Sequence, residues 1–196
     1  MCQGVTTPVI TKARWPALIC LLIMVLSGCS EADSTPNREG EIFLIPHGYV
    51  GRIFIVHNVP AGQPLEYESG SRIYRIPDDG FLLSQSGPNV GWIESDRLRY
   101  FYVDDEGKRT EILGRWSGSV RDTEQNRSDT QLRIFGGGLG QFQIGTSDCD
   151  LMQSDIYVGT LQDILNQTDN FDLYSERGIG GVDPKIIQEA CEYARP

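Results

Sequence analysis

Proton transfer or metal binding in this 196-residue chain would have to start from His47 and His57, its only two imidazoles. His47 stands in the turn Ile45-Pro46-His47-Gly48 and reads as a surface residue, while His57 closes an apolar run and reads as a satisfied strand-end residue. With nearby carboxylates the pair would suit a cryptic hydrolase or a metal-dependent enzyme. A metal centre, however, needs further ligands at fixed spacing, and neither an HExxH nor paired CxxC occurs. The run FGGGLGQFQIG at 135–145 is not closed by Gly-Lys-Ser/Thr, so it reads as a hairpin or bulge rather than a phosphate loop. Asp104-Asp105-Glu106-Gly107 lacks the ligand alternation of a calcium loop, and Asp148, Asp150 and Asp155 form an equally unspecific acidic cluster. No G-x-S-x-G elbow is present. Catalytic, metal-binding and cofactor-binding residues are therefore assigned to none, and the expected cofactor is none.

The cysteines carry a stronger signal. In LICLLIMVLSGCSEADS, residues 18–34, an apolar run gives way to small residues, one cysteine and then polar residues. The apolar part is about half the roughly 20 residues a spanning helix needs. Lys12 and Arg14 precede it, and no acid occurs before Cys29, which is the order of a secretory signal. Leu26-Ser27-Gly28-Cys29 resembles the lipobox of bacterial lipoproteins, which implies cleavage before Cys29 and lipidation of its sulfur. Each buried methylene of such a chain contributes about 0.8 kcal/mol, so several chains hold firmly. Residues 1–28 are thus expected to be a signal peptide and 29–40 a polar tether. Ser30 in place of aspartate points to the outer membrane of a two-membrane host, facing the periplasm.

Cys149 and Cys191 are the two cysteines left to the folded part. Export to an oxidising compartment makes them the expected disulfide, with two buried thiols as the alternative.

Those residues need a scaffold, and residues 41–196 have the size of one domain. Loss of residues 1–28 removes Lys12 and Arg14 and no acid, taking the net charge from −10 to −12. An acidic surface excludes nucleic acid as a partner and leaves the membrane, through the lipid, and an envelope protein or glycan. Short apolar runs at 42–45, 51–58, 71–76, 81–86 and 97–103 alternate with proline- and glycine-rich turns. They predict a mainly β domain, sandwich-like and of the transthyretin/immunoglobulin-like class. Tyr100–Val103, DDEG and Lys108–Leu113 predict a hairpin turning at Gly107. Further strands are expected at 132–135, 141–144 and 155–159, with an exposed loop over 121–130. Thr160 and Asp163 predict a capped helix over 161–166, and Asp183-Pro184 opens a last helix whose stripe is Ile187, Cys191 and Ala194.

Four spaced motifs recur in order: Ile45-Pro46-x-Gly48-Tyr49-x-Gly51, Tyr74-x-Ile76-Pro77-x-Asp79-Gly80, Tyr102-Val103-Asp104-x-x-Gly107-Lys108-Arg109-Thr110-Glu111, and Tyr157-Val158-Gly159-Thr160. Together they resemble an uncharacterised domain-of-unknown-function family whose members are mostly bacterial lipoproteins. The resemblance implies an envelope location and carries no catalytic residue. By themselves the motifs read as turn and covering chemistry. The function expected is a membrane-anchored, non-enzymatic binding or scaffolding module.

Overall fold

The computed structural model describes residues 38–91, 93–144 and 149–194. Within these residues ten strands form two five-stranded mixed sheets, accompanied by a few short helices. The first sheet runs β3 (Glu66–Glu68), β4 (Ser71–Arg75), β1 (Gly40–Pro46), β6 (Leu98–Val103), β7 (Arg109–Glu111). The second runs β5 (Phe81–Leu83), β2 (Gly51–Val56), β10 (Asp150–Gly159), β9 (Arg133–Gln143), β8 (Arg115–Trp116). Glycine-bearing turn Pro46–Gly51 carries the chain from the first sheet to the second, so β2 returns beside the start of β1.

Side-chain alternation explains the layers. Phe43 and Ile45 of β1, Tyr74 of β4 and Tyr100 and Tyr102 of β6 meet Ile53, Ile55, Ile134, Ile156 and Val158 of the second sheet in one apolar cluster. The opposite face of the second sheet buries Phe54, Val56, Phe142 and Leu151 against Leu173, Ile179 and Ile187. Being apolar on both sides, Ile53–Val56 occupies an inner strand, between β5 and β10, as its sequence predicts.

The outer face of the first sheet needs another solution, because over the apolar stripe of Ile42, Leu44, Ile73 and Phe101 no further layer lies among the described residues. Arginines cover it. Arg75 pairs with Glu66, Arg99 with Glu111, and Arg109 with Glu68, while the Arg99 and Arg109 guanidinia lie 4.7 and 5.9 Å from the centre of the Phe101 ring. Arg109 and Glu68 sit on the two edge strands of this sheet, which would lie about 19 Å apart if it were flat. A 2.7 Å contact between them therefore requires the sheet to curl around its own outer face.

Among the described residues three α-helices are formed: α1 (Glu124–Arg127), α2 (Leu161–Asn166) and α3 (Pro184–Tyr193). Thr160 and Asp163 make the expected reciprocal capping box on α2. The Asp183 carboxylate accepts from Lys185 N–H to start α3. α3 packs through Ile187, Ala190 and Cys191; Ala194, expected on that stripe, is exposed, because the helix ends before another turn brings it inward. Cys191 is bonded to Cys149, with the two Cα atoms 5.3 Å apart.

Two local expectations change. The segments 132–135 and 141–144 are not separate strands but parts of the single eleven-residue β9, which absorbs its glycines through a bulge opposite Asp155/Ile156, with Gly136 and Gly137 at φ 80° and 113°. The loop 121–130 is exposed as expected but contains α1, capped by Thr123. No helix among the described residues is long and apolar enough to cross a membrane.

Candidate functional site

Three of the four motifs converge on Tyr49. Its carbonyl accepts from the Tyr102 hydroxyl at 2.5 Å, and its own hydroxyl donates to the Arg52 carbonyl, also at 2.5 Å. Gly80 of the second motif lies under that hydroxyl at φ 79°: a Cβ there would run into the Tyr49 hydroxyl oxygen and stand 2.8 Å from Arg52 O. The left-handed conformation and the close approach both demand glycine. Gly80→Ala is expected to cost about 2–4 kcal/mol, from backbone strain and overpacking. Urea denaturation would measure it, and a loss below about 0.5 kcal/mol would show that the contact is easily relieved.

Arg177 plugs into this knot from the C-terminal region. It donates to the Asp79 carbonyl at 2.5 Å and to the Tyr49 hydroxyl at 3.1 Å, pairs with Asp169, and lies 4.3 Å from the centre of the Phe171 ring. Burial, only partly offset by the Arg177 charge, pushes the Tyr49 hydroxyl well above its ordinary range, so it remains a neutral donor. The fourth motif lies alongside: Tyr157 and Val158 stand opposite Arg52 and Gly51 in the β10–β2 ladder, the Tyr157 hydroxyl donates to Thr168 O at 2.5 Å, and Thr160 caps α2.

At the other end of the two sheets, where β1 begins, polar groups enter the layer between them. A cavity of about 50 Å³, room for roughly four waters, is lined by Arg38, Glu41, Tyr74, Asn89, Tyr100 and Ser154, among others. Glu41 is only 3% exposed; it pairs with Arg38 at 2.5 Å and accepts from the Tyr74 hydroxyl at 3.4 Å. Arg38 and Glu39, expected in the tether, are thus held: Glu39 also pairs with Arg72, and its backbone exchanges hydrogen bonds with the Asn89 amide.

His57 lies in the same region, 2% exposed, with Nε2 2.9 Å from Ser154 Oγ. Burial drives its pKa down to about 4, with the Arg72 and Arg38 charges acting in the same direction and the Ser86 backbone opposing. The ring is therefore neutral near pH 7. Among the described residues no carboxylate is bonded to the ring, which leaves the pair without the acidic orienting group that a serine triad gives its histidine.

His47 lies elsewhere. It lines an open groove of about 480 Å³ at the far end of β1, with Arg75, Asp78, Asp104, Asp105 and Glu106. β2 alone separates the two histidines by about 20 Å, so they cannot share a centre. Among the described residues no group of three or more His, Cys, Asp or Glu could hold a metal ion. Asp104–Gly107 forms the hairpin turn, in which the Asp104 carboxylate accepts from Lys108 N–H at 2.8 Å. Asp150 and Asp155 lie on β10, whereas Asp148, Cys29, the signal peptide and most of the tether lie outside the described residues. A second groove, of about 510 Å³, is apolar and runs past Ile179, Val182, Ile187 and the disulfide.

Sequence reasoning missed the Tyr49–Gly80–Tyr102–Arg177 knot, the buried Glu41 and the His57–Ser154 pair. The motif spacing was a signal for the first. Nothing local marks the others, because Glu41 and Tyr74 are 33 residues apart and His57 and Ser154 97, joined only by the fold.

No curated protein matches the chain. The fold is similar to a crystal structure of a candidate lipoprotein from Bacillus anthracis, at 18% identity and a TM-score of 0.48, over 80% of this chain and 96% of that one. Residues 37–159, which contain all the quoted motifs except Thr160, match DUF6843, a family of unknown function, and the chain belongs to that family.

Proposed function

We propose that the chain is a lipid-anchored module of the cell envelope, a β-rich domain that binds or scaffolds rather than catalyses. The observation that carries this is where the fold begins. Arg38 is already held against Glu41, and β1 starts at Gly40, only nine residues after Cys29 in the case of Arg38. Nine residues reach roughly 30 Å at most, so a diacylglyceryl group on Cys29 would keep this domain against the lipid surface. In a two-membrane host Ser30 would send it to the outer membrane, facing the periplasm. Two layers of sheet, sandwich-like in build, supply a rigid body for this role. The parallel pairing of β1 with both neighbours distinguishes it from a purely antiparallel immunoglobulin-like arrangement.

The hydrolase reading rests on His47, His57 and nearby carboxylates; His47 lines a groove away from His57, and the burial of His57 favours a structural role. Metabolic labelling with palmitate tests the anchor. Wild-type protein should be labelled and shortened by the signal, Cys29→Ala should be neither, and Ser30→Asp should move the mature protein to the inner membrane. Wild-type protein recovered soluble at full length would sink the proposal.

A further inference from the structure

Among the described residues, β9 is longer than anything laid along its outer side. On one side it pairs with β10 from Arg133 to Gln143; on the other, β8 covers only Ile134 and Phe135. The ladder fixes where the remaining backbone groups point. His57 N–H donates to Met152 O, and Ile144 N–H donates to Cys149 O. Met152 and Ser154 therefore turn their backbone groups toward β2, and Leu151 and Gln153 toward β9. Phe142 and Gly140, opposite them, bond to β10, so Leu139 and Gln141 turn their N–H and C=O groups out of the sheet. Among the described residues, no hydrogen bond engages the outward backbone groups of these two. The Tyr174 hydroxyl, 3.4 Å from Gln143 O, closes the row at its end.

Edge strands of this kind are ordinarily blunted by lysine, proline, an inward charge or a covering segment. The sequence from Ile134 to Ile144, IFGGGLGQFQI, contains neither charge nor proline, and Gly136–Leu139 and Gln141 are exposed. Its bulge lies at the β8 end and leaves Gly138–Phe142 in regular register.

We infer that Gly138–Phe142 is a strand-addition site for an extended, basic segment of a partner protein. Four outward groups on Leu139 and Gln141 would pair with its backbone, the geometry by which a sheet edge recognises a peptide. Charge decides the kind of segment. Past Arg133, which is bound to Asp129, the charges on β9 and β10 are Asp150 and Asp155 alone, and the whole chain carries −10. A second copy would oppose the same acids and the same net charge to itself, whereas a basic segment gains from both. This inference rests on the binding reading and gives it a surface and a partner class, independently of the lipid anchor.

The test is photo-crosslinking of the full-length protein in intact cells, with p-benzoylphenylalanine placed at Leu139 or, as a control, at the exposed Tyr67 on β3, an edge strand of the first sheet. Expected is an adduct at Leu139 whose crosslinked peptide lies in a lysine- or arginine-containing extended segment, and its loss on Gln141→Pro, which removes an outward N–H and spares the β10 ladder. Should that variant fail to fold, Gln141→Arg should also lose the adduct, by charge repulsion. An adduct to a second copy, an adduct indifferent to both substitutions, or an adduct at Tyr67 alone would overturn the site, the last leaving the binding reading intact; no adduct at either position would count against both.

Discussion

Lowering the pH from 7.5 to 4 is expected to remove about 3 kcal/mol of stability through His57 alone. The folded-state pKa of about 4 lies below the ordinary 6.5 because the ring is buried beside Arg72 and Arg38. Between those values the unfolded chain binds a proton that the folded one refuses, so stability rises with pH in that interval. It is fully present above about 6.5 and is lost progressively toward 4. Carboxylates held low by arginines, such as Glu68 and Glu111, add losses of the same sign at the acid end. The variant His57→Gln separates the contributions, since it retains those pairs and lacks the imidazole. Urea denaturation at pH 7.5, 5.5 and 4.5 should show a wild-type slope that the variant lacks between the first two values. Equal slopes would mean that His57 titrates normally and is more accessible than its 2% exposure implies.

The second large effect belongs to the disulfide. Cys149 and Cys191 are 42 positions apart, a loop for which chain-entropy arguments give about 4 kcal/mol. Cys191→Ser, or reduction, should lower the melting temperature by roughly 8–16 °C in a domain of this size. The damage should start at the C-terminal end. Without the bond, α3 is held by Ile187 and Ala190 against the second sheet, and the stretch before it by Arg177. Limited proteolysis of the reduced protein should therefore cut between α2 and α3 first. A melting temperature unchanged by reductant would show that packing alone fixes α3.

Local chemistry made the elements legible and left their pairing open. The apolar runs place β1, β2, β4 and β6 to within a few residues, and Gly107, Thr160 and Pro184 mark turn and helix starts because each acts on its own backbone. β3 and β8 escape this reading, since EYE and RW are too short to show a period. Nor could the sequence reveal that β1 lies parallel between β4 and β6, because register depends on which distant strand offers the matching face. The same limit governs the sites. Cys149 and Cys191 could be paired by elimination, as the only two cysteines of the folded part, whereas Glu41 gives no hint in GEIFLIP that it will be buried with an arginine.

β1 has one further consequence, a mechanical one. An anchored Cys29 would transmit any pull on the domain into the N-terminal end of this strand. Its neighbours on both sides run in the same direction, bonded over Gly40–Leu44 on one side and Glu41–Pro46 on the other. Force along the strand would load these evenly spaced bonds in shear, so they must yield together. Had β1 been the end of an edge hairpin, the same tension would unzip it one pair at a time. Were Cys29 the anchor, tension would thus enter through a strand bonded along both edges, and the domain would resist being drawn open by whatever it holds.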